Sequence, residues 1–195
     1  MSIPLRRTLS RDDYDRAAAA LDCERECVIA IAAVEGGERG AFDEDGFPTV
    51  LFERHLFHRL TDGRFDAVAP DLSNAVPGGY GSYRAQKIRL DRATKLDRDA
   101  ALMATSWGLF QILGQWWERC GAADVQDFVN GMCSGASYHL DSLVAFLLAD
   151  PGLAAALREH RWADFARGYN GVAFARNQYD VHLQQAYELA KARVA

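Results

Sequence analysis

No run of uncharged apolar residues in this 195-residue chain approaches the roughly 18 needed to cross a bilayer, so no integral membrane segment is expected. Only five prolines occur, and no stretch rich in Gly, Ser or Pro divides the chain. No internal repeat is visible, which leaves a single domain over residues 1–195 as the expected organisation. The start, Met1-Ser2-Ile3-Pro4-Leu5-Arg6-Arg7, has two arginines but no apolar segment behind them, so synthesis in a cytoplasm without a signal peptide is expected. The four cysteines, Cys23, Cys27, Cys120 and Cys133, are then expected as reduced thiols that act as small buried hydrophobes. Cys23 and Cys27 stand four apart, but neither a CxxC nor a histidine at finger spacing completes a zinc site. His55, His58, His139, His160 and His182 show no ligand spacing either, so no metal and no cofactor is expected. Positive charge is also short: 22 Lys and Arg against 27 Asp and Glu give a net charge of −5, which argues against a nucleic-acid partner.

Apolar residues, by contrast, make up 49% of the chain, enough at this length to bury roughly two-thirds of the unfolded surface without disulfide or metal support. A monomer is expected. Helical signals dominate. Ser10 can cap a helix beginning at Arg11-Asp12-Asp13. A second helix, roughly Glu24 to Glu35, contains Val28-Ile29-Ala30-Ile31-Ala32-Ala33-Val34 and is apolar all round, so it belongs in the middle of a core. Gly36-Gly37 is expected to end it. Asp45-Gly46 lies between Phe42 and the run Phe47 to Phe52, which predicts a small β-hairpin element near residues 41–52.

Helix returns near Glu53 to Leu60, and Thr61 to Tyr83 is predicted to be irregular, with Asp62-Gly63, Pro70, Pro77-Gly78-Gly79 and Gly81. Arg84 to Met103 reads as two helices meeting near Leu96-Asp97. In that stretch six basic residues stand against three acidic ones as far as Asp99, and a solvated helix face is the expected explanation. Leu140, Leu143, Val144, Leu147 and Leu148 form one helical stripe, closed by Asp150-Pro151-Gly152. Trp162, Phe165, Ala166 and Tyr169 form another that ends at Asn170-Gly171, and Tyr179 to Ala190 define a last helix. The fold class is mainly α.

Glu35 ends the most apolar helix. Burial and the negative end of the helix dipole act together there to raise a carboxyl pKa, which suits a general acid. The alternative is a Glu turned outward or paired with Arg39. Two later stretches bear on this: Ser106-Trp107-Gly108-Leu109-Phe110-Gln111-Ile112, and Arg167-Gly168-Tyr169-Asn170-Gly171. With Glu35, and in that order, they resemble the signature stretches of the goose-type lysozyme and lytic transglycosylase superfamily.

A closer resemblance rests on Ala33-Val34-Glu35-Gly36-Gly37, on Phe42 to His55, on Pro70-Asp71-Leu72-Ser73-Asn74, on Pro77-Gly78-Gly79-Tyr80-Gly81 and on Ala104 to Gln111. These look like the N-acetylmuramidase catalytic domain of phage and prophage endolysins. The resemblance implies a lysozyme-like fold and hydrolysis of the bond between N-acetylmuramic acid and N-acetylglucosamine, with peptidoglycan glycan strands as partner. It implies action on periplasmic peptidoglycan after release from the host cytoplasm. It also implies a catalytic domain alone, with no separate peptidoglycan-binding domain. Gly36 departs from the wider superfamily, where many members have Ser after the catalytic Glu.

Glu53, in Leu51-Phe52-Glu53-Arg54-His55, is the second carboxylate to which the resemblance points. Glycoside hydrolysis uses a protonated and an ionised carboxyl, and the start of a helix favours the ionised one. Its alternative is an ion pair with Arg54 or His58. Asp43 and Asp45 read as turn residues. Ser106, Gln111, Tyr169, Asn170 and Tyr80 are the expected substrate-binding residues. The four tryptophans are expected to be mostly core, with one available to stack on a sugar. A lytic transglycosylase, which needs no second carboxylate, and a non-catalytic wall-binding or phage structural protein are the other readings.

Overall fold

The computed structural model describes residues 5–36 and 40–193. Helix α1 (Arg11–Leu21) begins with a reciprocal cap: the Asp13 N–H donates to the Ser10 hydroxyl at 3.3 Å, and the Ser10 N–H donates to the Asp13 carboxylate at 2.8 Å. Asp13 is 2% exposed, and burial alone would raise its carboxyl pKa. Hydrogen bonds from Ser10 and the Arg6 guanidinium outweigh that, and hold it below the usual carboxylate range.

Helix α2 (Arg25–Gly36) follows the sequence reading closely. Cys27, Val28, Ala30 and Ile31 are fully buried in one continuous core with members from Ala17 to Tyr187. Helices α1 and α10 (Tyr179–Ala192) pack along it. Gly36 is the last helical residue rather than a cap beyond the end, and Gly37 lies outside the described residues.

The β element differs in detail from a hairpin. Residues 42–48 form a tight turn with one bridge, Phe42 to Pro48, closed by Asp43 N–H to Phe47 O at 2.8 Å. Strand β1 (Val50–Phe52) then pairs with β2 (Thr105–Trp107), and β2 with β3 (Ile112–Leu113), in one antiparallel sheet of order β1-β2-β3. The row Val50–Trp107–Ile112 is buried in the core, whereas Leu51–Ser106–Leu113 occupies the other face. Sequence reading finds β1 but leaves β2 and β3 as an apolar run, since strands this short carry almost no period-2 signal.

Helix α3 (Arg54–Leu60) leads into the irregular segment, which runs to α4 (Ala85–Thr94) and α5 (Arg98–Met103) with a break at Lys95–Asp97 as expected. Helix α6 (Val125–Ser134), capped by Asp124, and α8 (Pro151–Arg158) were not anticipated. Asp150-Pro151-Gly152 follows α7 (Ala136–Leu148), and it also opens α8, with Asp150 accepting from Leu153 N–H at 3.1 Å and Pro151 in the first turn. Helix α9 (Trp162–Asn170) has the predicted bounds. No single helix among the described residues is long and apolar enough to cross a membrane.

Two readings need correction. All four cysteines are free thiols, but Cys133 is exposed and Cys23 only half-buried, because both stand off the buried face of their segments. The basic stretch of α4 is not wholly a solvated face. Arg89 is buried at 7% exposure, and its guanidinium donates to the carbonyls of Asp71, Gly79 and Tyr80 at 2.7–2.9 Å. Of the tryptophans, Trp107 and Trp162 are core and Trp116 is exposed.

Candidate active site

Glu35 is the penultimate residue of α2, where four carbonyls of the last turn lack intrahelical donors and disfavour a negative charge. Its carboxyl is pushed up to about 7 by burial, and a hydrogen bond from Tyr179 opposes the rise. Tyr179, at the first position of α10, donates its hydroxyl to Glu35 Oε1. Asn170, at the end of α9, hydrogen-bonds the Tyr179 hydroxyl, and the Glu35 carboxylate acts on the buried Tyr169 phenol, whose pKa is raised by burial first and by that charge second. Arg39, the alternative partner of Glu35, lies outside the described residues.

The turn between β2 and β3 closes this group from the other side. Tyr169 donates its hydroxyl to Phe110 O at 3.3 Å. Gln111 adopts φ +48° and turns its amide back, donating to Gly108 O at 2.8 Å and to Thr49 O at 3.3 Å. Leu109 fills the space over Gly36: a Cβ on Gly36 would stand 3.0 Å from Leu109 Cδ1, so a larger residue there would displace Leu109. The absence of a serine hydroxyl after Glu35 thus has a steric counterpart.

Glu53 forms a second group at the other end of the sheet. It immediately follows β1 on the face of Leu51 and Ser106, and its N–H donates to Ala104 O at 3.0 Å. It is the N-cap residue of α3, yet its side chain makes no capping bond. Neither suggested ion pair forms: Arg54 donates to Val76 O at 3.1 Å, and His58 sits 2.8 Å from Asp66. Glu53 Oε2 lies 3.4 Å from His55 Nδ1 without hydrogen-bond geometry, and both atoms are buried with no hydrogen-bond partner among the described residues. The Tyr80 phenol packs against this carboxylate, and its pKa is raised by burial and then by Glu53. Arg89 holds the Gly79 and Tyr80 carbonyls, which fixes the segment that presents the phenol.

Of the residues named from sequence, Glu35, Tyr169, Asn170 and the Gln111 turn therefore form one group, and Glu53 and Tyr80 another. Ser106 is opposite Leu51 on the strand that joins them, and is itself buried at 7% exposure. Among the described residues no hydrogen bond links the two carboxylates directly. No cluster of three or more His, Cys, Asp or Glu among those residues could hold a metal ion. Asp43 accepts from Phe47 N–H at 2.8 Å and is a turn residue, as read. Tyr179, which donates to Glu35, and Arg89, which holds the Tyr80 segment, are the residues of these two groups that sequence reading did not single out. Tyr179 sits in a helical stripe indistinguishable from core, and its polar tip is the only signal it carries.

The family model described as N-acetylmuramidase matches residues 24–191. The crystal structure of the Burkholderia AP3 phage endolysin is similar at a TM-score of 0.89 and 41% identity, covering 97% of this chain and 73% of that one. Comparison with curated proteins gives no match. With this match over most of its length and a mainly helical, lysozyme-like fold, the chain belongs to the N-acetylmuramidase family and is a peptidoglycan-degrading glycoside hydrolase of lysozyme type.

Proposed function

We propose that the chain hydrolyses the β-1,4 bond between N-acetylmuramic acid and N-acetylglucosamine, with Glu35 as general acid. The observation that carries this reading is the Glu35 carboxyl, half-buried at the end of α2 against the Tyr179 hydroxyl and raised to about 7. A carboxyl that keeps its proton near neutral pH can deliver it to the departing glycosidic oxygen. Tyr179 would retain its hydrogen bond throughout and stabilise the carboxylate left behind. Glu53, whose side chain makes no capping bond to α3, would accept a proton from the attacking water or face the oxocarbenium-like transition state. Tyr80, Ser106, Gln111, Tyr169 and Asn170 would line the cleft between the two carboxyls and orient the acetamido sugars.

The reading further holds that residues 1–195 act as a single catalytic domain and as a monomer. The similarity to a phage endolysin supports synthesis in a host cytoplasm and action on periplasmic peptidoglycan after release. Mass spectrometry of digested murein tests the reaction. Hydrolysis yields muropeptides with free reducing ends in the wild type and none with Glu35→Gln. Anhydro-muropeptides would replace it with transglycosylation, and cleavage undiminished by Glu35→Gln would remove Glu35 as the acid.

A further inference from the structure

His139 lies on α7, outside both groups, and is buried at 1% exposure. Its Nδ1 faces the Leu109 backbone N–H at 3.1 Å, and its Nε2 faces Met132 O at 2.8 Å. A backbone N–H only donates and a carbonyl only accepts, so the ring is neutral with its proton on Nε2. Phe42 covers one side of the ring, at 4.9 Å between centroids. Gly108 presses against the other edge at φ +69°, where an added Cβ would stand 2.6 Å from Nδ1. The site is shaped to a flat ring with an acceptor at one nitrogen and a donor at the other.

That acceptor holds the turn closing over Glu35. Leu109 covers the end of α2 beside Gly36, and the next residue, Phe110, receives the Tyr169 hydroxyl. We propose that His139 is a positioning residue of the active site: through Nδ1 it pins the Gly108–Gln111 turn over the end of α2 and keeps water from Glu35. The proposal rests on the reading of Glu35 as general acid. Burial pushes His139 down to about 4, against the opposing effect of the Met132 bond, so the ring keeps its acceptor over the range in which Glu35 titrates. The titratable groups facing Glu35 among the described residues are the phenols of Tyr179 and Tyr169, and the polar groups facing His139 are the two backbone ones.

Two substitutions separate the ring's two bonds. The oxygen of Asn falls near the position of Nδ1, and the amide nitrogen of Gln near that of Nε2. His139→Gln keeps the Met132 bond and loses the acceptor for Leu109, whereas His139→Asn does the reverse. Expected for His139→Gln is a kcat lowered about ten- to a hundredfold, as for a displaced catalytic group, with a smaller rise in KM because Gln111 rides on the same turn. The alkaline limb of its pH–rate profile moves to lower pH, because a wetter Glu35 ionises sooner. His139→Asn restores both. Wild-type kcat and alkaline limb in His139→Gln, or equal losses in the two variants in step with melting temperature, would overturn the proposal. Nitrogen NMR of the wild-type ring needs no variant: it should show a bare Nδ1 and a protonated Nε2 down to about pH 4, and the opposite tautomer is incompatible with the proposal. Glu35→Gln run in parallel keeps the two ideas apart, since its retention of activity would sink the acid assignment and leave the tautomer result standing.

Discussion

The Tyr179 hydroxyl donates to Glu35 Oε1, joining residues 144 positions apart and setting the first turn of α10 against the last turn of α2. Burial raises the Glu35 carboxyl, and this bond moderates the rise. Removing the donor with Tyr179→Phe therefore raises the Glu35 pKa further, since the bond favours the ionised form. The alkaline limb of kcat/KM against pH should move to higher pH. A move to lower pH would mean that water replaces the phenol.

Glu35→Gln should fold as the wild type does and lose lytic activity by about 10²–10⁴-fold, the usual worth of general acid assistance. Turbidity loss of outer-membrane-permeabilised cells measures it. The same substitution changes stability with a definite sign. A carboxyl raised from 4.5 to about 7 binds its proton better folded than unfolded, so wild-type stability declines as pH rises between those values. His139, lowered to about 4, gives the opposite slope at acid pH, and is common to both proteins. The difference in melting temperature between Glu35→Gln and wild type should thus grow in favour of the variant from pH 4.5 to 7 and then level off.

Glu53→Gln should lose most activity, and azide should partly restore Glu53→Ala by attacking in place of the activated water. If Glu53 serves as base, the carboxyls lie ~6.5–9.5 Å apart in a substrate complex and the product is inverted; a nucleophile would require ~5–5.5 Å and retention. Proton NMR of the first-formed anomer distinguishes them. Unchanged activity in Glu53→Gln would leave it a residue that only opens α3.

Arg89→Met should destabilise the fold by about 1–3 kcal/mol, because three part-buried carbonyls lose the charged donor that the buried Arg89 supplies. Denaturant melts give this value. Since Arg89 grips the Gly79 and Tyr80 carbonyls, KM for murein should rise as well. A loss of stability with KM unchanged would detach Tyr80 from substrate binding.

The sequence by itself determined the helices whose caps and apolar stripes are local. Ser10 with Asp13 starts α1, the all-apolar stretch makes α2 the central helix, and Asn170-Gly171 ends α9. It also singled out Glu35, because the end of an apolar helix is an unusual place for a carboxyl, and it supplied the motifs shared with muramidases. Tertiary structure decided what depends on distant pairing. Strands β2 and β3 exist because β1 offers its edge to residues 105–107, a partnership that two- and three-residue strands cannot announce. Tyr179, Arg89 and His139 look in sequence like a stripe residue, a surface cation and a stray histidine. What sets each apart is polar atoms meeting groups between 9 and 144 positions away, where an unpaired polar group out of water is costly.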